Sequence, residues 1–137
     1  MRILGIDYGD RRIGLALSDP LGFTAQGLET LENKGVERTL EAIHQLCKDR
    51  GVTEIVVGLP VNMDGTIGPR AKGATEFSLA LGRKTALPVR TWDERLTSRQ
   101  VERLLAQGGA SRRAKKAAND RLAATVLLQS YLESKRS

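Results

Sequence analysis

Three of the sixteen Asp and Glu residues stand where plain surface charge explains them poorly. Asp7 closes the apolar run Ile3 to Tyr8 and precedes Gly9, so its carboxylate ends a buried strand. A carboxylate there needs a partner, which is either the amides of the following turn or a cation. Glu94 follows a strand that ends at Trp92 and precedes a helix start. Its neighbours leave two arrangements open: Arg95 pairs with Asp93 and frees Glu94 for a metal, or the two acids exchange roles. Asp120 heads a helical stripe of Ala123, Ala124, Leu127 and Tyr131, small beside the acid and larger beyond it. The alternative for Asp120 is a favourable place on the helix dipole. Spacing alone does not bring the three together. If the fold does, their chemistry is that of hard divalent cations, Mg2+ or Mn2+, which prefer oxygen ligands and keep several waters. Two such ions about 4 Å apart activate water and stabilise the leaving oxygen of a phosphodiester.

The rest of the composition agrees with a polyanionic substrate. Twenty-two Lys and Arg against sixteen acids give a net charge of +6, and a basic surface gains from releasing counterions condensed on nucleic acid. The run Arg112, Arg113, Lys115 and Lys116, with Arg121 beyond it, lies next to Asp120 and reads as a phosphate-tracking flap. A solvated basic loop is the plain alternative. Arg11, Arg12, Asn62 and Arg95 are further candidates for nucleic-acid contact, because each lies near one of the acids or in a loop at a strand end. Other chemistries are poorly served. Cys47 is the single cysteine and His44 the single histidine; both fall within one predicted helix, which excludes a Cys-based zinc site and gives a His-based triad no nucleophile nearby. Cys47 reads as a small buried hydrophobe. Trp92, which could stack a base, reads as core at the end of a buried strand.

The elements that must hold these residues follow from period. Ile3 to Tyr8 and the alternating Ile13, Leu15 and Leu17 predict two paired strands joined by the Gly9-Asp10-Arg11 turn. A weaker third strand is expected over Ala25 to Thr30. Val36, Leu40, Ile43, Leu46 and Cys47 recur at helical spacing, with Gly51 as the stop. Glu54 to Leu59 predicts a strand buried on both faces. The Gly/Pro/Asn-rich segment Pro60 to Pro69 is a loop, followed by a helix from Arg70 to about Lys84 and a strand from Pro88 to Trp92. Thr97 and Gln100 form a capping box for a helix that halts at Gly108-Gly109. A basic stretch then leads into a last helix from about Asn119 to Glu133. The result is one α/β domain over 1–137, with a mixed central sheet of about five strands flanked by helices. An acid at position 7 is too early for a signal-peptide core, and no run of about 18 apolar residues could span a membrane, so a cytoplasmic location is expected.

Four blocks in order carry a family resemblance. Gly5-Ile6-Asp7-Tyr8-Gly9 with Arg12-Ile13-Gly14-Leu15-Ala16 resembles the opening motif of the YqgF/RuvX family. Gly58-Leu59-Pro60-Val61-Asn62-Met63-Asp64-Gly65-Thr66, continuing to Gly68-Pro69-Arg70-Ala71, is similar to its central loop. Asp93 to Ser98 resembles the third block, and Asp120 with Ala123-Ala124 and Leu127 to Leu132 the terminal helix. The resemblance implies a ribonuclease-H-like fold related to the junction resolvase RuvC, and a nuclease that processes the 5′ end of the 16S ribosomal RNA precursor. It places the acidic ligands on Asp7, Glu94 and Asp120. Asp10 stands where the family usually has Thr, which adds a negative charge beside the metal site. Asp64, in the loop after the central strand where related nucleases place an acid, is a second-choice ligand; a turn is its plain reading.

Two other classes compete. Asp7-Tyr8-Gly9 also resembles the phosphate loop of actin-like ATPases and sugar kinases, but those enclose nucleotide between two domains and this chain is too short for two. A non-catalytic binder of ribosomal RNA or branched DNA would suit the basic charge. Three acids kept in a basic site without metal would repel phosphate, which favours catalysis. Within the nuclease reading, the substrate is pre-rRNA or a four-way DNA junction. The protein acts as a monomer or a homodimer, paired cuts calling for the dimer.

Overall fold

A computed structural model describes residues 2–94 and 112–136, with the backbone alone at 112–121 and 136. Strand β1 (Ile3–Tyr8) turns back into β2 (Arg12–Ser18), followed by the short strands β3 (Ala25–Gly27) and β4 (Leu31–Glu32). Helix α1 (Val36–Arg50) leads to β5 (Glu54–Leu59), α2 (Pro69–Thr85), β6 (Val89–Asp93) and α3 (Arg112–Arg136). The sheet order is β3-β2-β1-β5-β6, with β4 also paired to β2. β1 pairs antiparallel to β2 and parallel to β5, and β5 parallel to β6. The sheet is therefore mixed, and the carboxyl ends of β1, β5 and β6 lie along one edge.

Alternation sorts the side chains onto two faces. Leu4, Ile6, Ile13, Leu15, Leu17, Ile55 and Val57 face α1 and α2, where they pack with Leu40, Ile43, Cys47, Phe77 and Leu81. Ile3, Ala16 and Val56 face α3 and pack with Ala124, Leu128, Tyr131 and Leu132. The α3 face is the one with small residues, and Gly5 shows why. A Cβ there would stand 2.9 Å from the Leu128 Cβ, so α3 rests almost on the β1 backbone. At the far end of that helix, Tyr131 donates to Glu54, Lys135 binds the same carboxylate at 3.0 Å, and Trp92 donates its indole N–H to Ser130 at 3.2 Å. Because Ala124 and Leu128 lie over Gly5 while Tyr131 reaches Glu54 at the start of β5, α3 runs antiparallel to β1. Its N-terminal part points toward the carboxyl ends of β1 and β5.

Two expectations are corrected. The strand expected over residues 25–30 is split: β3 pairs with Ala16 to Ser18, β4 with Arg12 and Ile13, and Leu28 bridges them by donating to the Leu15 carbonyl. The last helix starts at Arg112 rather than near Asn119, so Arg112 to Lys116 is helical backbone and not a loop. The physical reason is propensity, since Arg, Lys and Ala are strong helix formers and no Gly or Pro interrupts them. Arg95 and the expected capping box and helix from Thr97 to Gly108-Gly109 lie outside the described residues. Cys47 is buried, and burial pushes its thiol up to about 11; it is a core side chain.

Candidate active site

β1 leaves the core at Asp7. The alternation that sends Ile3 toward α3 also puts Gly5 and Asp7 on that face, with Asp7 opposite Gly14 of β2. The turn that follows is tight: a Cβ on Gly9 would lie 2.4 Å from the Arg12 carbonyl oxygen. It is also pinned from outside. Asn33, between β4 and α1, donates its side-chain amide to the Gly9 carbonyl at 2.9 Å and its backbone N–H to the Arg11 carbonyl at 2.8 Å. Its Oδ1 accepts from the Gly35 N–H and the Thr39 hydroxyl. The segment that leads into the first helix thus pins the turn that follows Asp7.

The second acid arrives from the other side. Gly58 of β5 pairs with Trp92 of β6, and the Glu94 side chain folds back over it. A Cβ on Gly58 would lie 2.4 Å from Glu94 Oε1 and 3.0 Å from its Cγ and Cδ. The missing side chain of Gly58 is the space that Glu94 fills. In this position Glu94 hydrogen-bonds Asp7. Burial first, then that hydrogen bond and the Asp7 charge, hold the Glu94 carboxyl well above the ordinary carboxylate range; Arg70 opposes the shift and Asp93 adds to it. The Glu94 carboxyl therefore keeps its proton at neutral pH, in its hydrogen bond with Asp7. A cation can take the place of that proton, and the donor set, two half-buried carboxylates at a strand-end edge, suits a hard divalent ion.

The remaining candidates fall in different places. Asp120 lies in α3 one turn before Ala124, the residue seated over Gly5; its side chain lies outside the description, as do those of Arg112, Arg113, Lys115, Lys116 and Arg121. Arg11 and Asp10 are exposed in the β1–β2 turn, and Arg12 opens β2 opposite Glu32. Asp64 Oδ1 accepts from the Thr66 N–H and hydroxyl and shapes its own loop. Asn62 is exposed in that loop and donates to the Thr66 hydroxyl. Among the described residues, no three His, Cys, Asp or Glu side chains are grouped to hold one ion. Sequence reasoning missed Gly58, Asn33 and Arg70. Only Arg70 carried a signal, a cation just after the Pro that opens a helix beside the site.

A mixed sheet with this order, an acid ending its first strand and a second acid folded over the neighbouring parallel strand define the ribonuclease-H-like class. Two solved structures share the fold. RuvC of Thermus thermophilus, solved in complex with a Holliday junction substrate, aligns with a TM-score of 0.59 at 16% identity over 100% of this chain and 96% of that one. The fowlpox virus resolvase, in complex with Holliday junction DNA, aligns at 0.61 with 12% identity over 100% of both chains. Within that class, residues 1–134 match the model of the RuvX family, described as Holliday junction resolvase, and the chain belongs to this family. A relative from Lachnospira eligens is 50% identical over 139 residues, covering 99% of each chain. Another from Syntrophomonas wolfei is 47% identical over 133 residues, covering 97% of this chain and 94% of its own. Both bear the name "Putative pre-16S rRNA nuclease".

Proposed function

We propose that the protein is a metal-dependent nuclease that hydrolyses phosphodiester bonds of structured nucleic acid and processes the 5′ end of the 16S ribosomal RNA precursor. The observation that carries the reading is the Asp7–Glu94 pair packed over Gly58. Its support is membership of a family whose named relatives are pre-16S rRNA nucleases.

Asp7 and Glu94 would supply oxygen ligands, with Asp120 of α3 as the third. When bound, two divalent ions, Mg2+ or Mn2+, supply Lewis acidity and a nucleophilic water at neutral pH. The protein's own part is positional. Gly58 and the Asn33-anchored turn position the two carboxylates, and the Glu94 proton would leave when a cation binds. Arg11, Arg12 and Asn62 at the strand ends, together with Arg95 and with Arg112, Arg113, Lys115, Lys116 and Arg121 of the α3 sequence, are the groups assigned to the phosphate backbone. Among the described residues no helix is long and apolar enough to cross a membrane, and the cytoplasm is the compartment that fits an rRNA substrate. The fold is a single domain over 1–137, acting as a monomer or a homodimer.

The second reading, resolution of four-way DNA junctions, is favoured by the family's description and by the RuvC-like fold. The deciding experiment is cleavage of a labelled 16S precursor leader and of a four-way DNA junction, with Mg2+ or Mn2+, by wild type, Asp7→Asn and Asp120→Asn. Metal-dependent cleavage of the leader, lost in both folded variants, is expected. Preference for the junction selects the resolvase. Equal cleavage by variants and wild type, or none by wild type, overturns the nuclease reading in favour of a binding module.

A further inference from the structure

The loop between β5 and α2 begins beside the acid pair, since Leu59 pairs with Asp93 and Gly58 underlies Glu94. It is a built loop. The Asn62 N–H donates to the Thr66 carbonyl at 3.0 Å and the Gly65 N–H to the Asn62 carbonyl at 2.8 Å. The Asn62 amide donates to the Thr66 hydroxyl at 3.0 Å, and that hydroxyl donates to Asp64. Gly65 takes a positive φ of 89°, which suits glycine. Asn62 also packs against Gly68, where a Cβ would stand 3.2 Å from its amide nitrogen.

Between this loop and the start of α2 lies an open cavity of about 420 Å3, lined by Pro60, Val61, Asn62, Met63, Pro69 and Arg70 among others. Its walls are mostly apolar, and among the described residues that line it the charged one is Arg70, whose positive charge acts on the Glu94 carboxyl. Met63 is 87% exposed, and Ile67 of the same loop is 65% exposed. Two large apolar side chains held out to solvent by a hydrogen-bonded loop, beside a site that handles phosphate, call for a flat apolar ligand part. The volume lies in the range of small-molecule sites, about 300–1,000 Å3.

We propose that this cavity seats one unpaired nucleotide next to the phosphate held at the acid pair, with Arg70 on the phosphate and Met63 against the face of the base. The assignment rests on the nuclease reading. A paired base is stacked on both sides and cannot present its face to Met63, whereas a splayed one can. The fixed loop geometry spares the ordering cost that a loose loop would carry. The consequence is specificity for the strand state at the cut, single-stranded or splayed, rather than for base identity, since every base has a π-face.

The test reads binding without cleavage. A single-stranded RNA carrying 2-aminopurine, and a blunt duplex of the same sequence, are titrated with the protein in Ca2+. Seating the probe base away from its stacked neighbours should raise its fluorescence with the single strand and not with the duplex. Met63→Ser should lose the rise and weaken binding by up to about tenfold, and Met63→Leu should restore both. Arg70→Ala should weaken binding while keeping the rise of what binds, with Arg70→Lys only partly restoring affinity because the guanidinium fork is lost. An equal rise in Met63→Ser, an equal rise with the duplex, or no rise with wild type overturns the assignment. Absence of metal-dependent cleavage by wild type would overturn the nuclease reading alone, because the fluorescence readout does not depend on it.

Discussion

At the scale of single residues, the site depends on an atom that is missing. Gly58 has no Cβ, and the space it leaves holds the Glu94 carboxyl, with a distance of only 2.4 Å from a built Cβ to Oε1. Gly58→Ala must displace Glu94. Misplacement of a catalytic group by about 1 Å costs on the order of 100-fold in rate, and a loss of about that size in metal-dependent cleavage is expected. A second outcome concerns the crowded pair. Mg2+ or Mn2+ should raise the melting temperature of wild type, by about 3 kcal/mol of added stability at a hundredfold excess over Kd. Glu94→Gln should melt no lower than wild type without metal, because a neutral amide replaces a carboxyl that burial and Asp7 already keep neutral, and should lose the metal-induced rise. Thermal melts with and without divalent ions check both statements. If the metal raises wild type and Glu94→Gln alike, the ion binds elsewhere.

At the scale of elements, the close seating of α3 on β1 is set by Gly5, whose absent side chain admits Leu128. Gly5→Val forces the helix outward, and overpacking of this kind costs about 1–3 kcal/mol. Because the same helix carries Asp120, we expect cleavage to fall by more than the stability loss explains. A denaturant titration and an activity assay on the same preparation separate the two. These elements were unevenly legible in the sequence. Periodicity was enough for β1, β2, α1 and β5, and Gly51 ends α1 in the left-handed conformation as its position predicts, its N–H donating to the Cys47 carbonyl. The stretch over residues 25–30 looked like one strand because composition does not reveal that β2 is paired by two short pieces, Ala25–Gly27 and Leu31–Glu32, at different registers. Arg112 to Lys116 looked like a loop because charge was weighed above propensity. In the site, Asp7 and Glu94 were visible as acids at strand ends. Gly58 and Asn33 were not, since one acts through empty space and the other through a turn formed by residues more than twenty positions away.

At the scale of the whole molecule, one carboxylate locks the last helix to the middle of the sheet. Glu54, at the foot of β5, accepts from Tyr131 and Lys135 of α3 and faces Arg90 at 4.0 Å. Burial alone would raise its pKa, but the Tyr131 and Lys135 hydrogen bonds and the two positive charges outweigh it and leave it below the usual 4.5. A carboxyl depressed in the folded state adds stability above its unfolded value and loses it as pH falls through the folded value. Wild type should therefore lose stability relative to Glu54→Gln as pH falls below about 4.5, the gap between them closing at the acid end. Paired unfolding curves across that range check the sign; a constant gap would remove Glu54 from the acid transition.

The antiparallel course of α3 also has a consequence for how the protein is made. A ribosome synthesises β1 before α3, yet among the described residues Ile3, Ala16 and Val56 are buried chiefly by Ala124, Leu128, Tyr131 and Leu132, with Ala25 and Trp92 at the margin. Until those residues emerge, one whole face of the sheet stays wet and apolar, a state prone to aggregation and slow to resolve because its contacts are so distant along the chain.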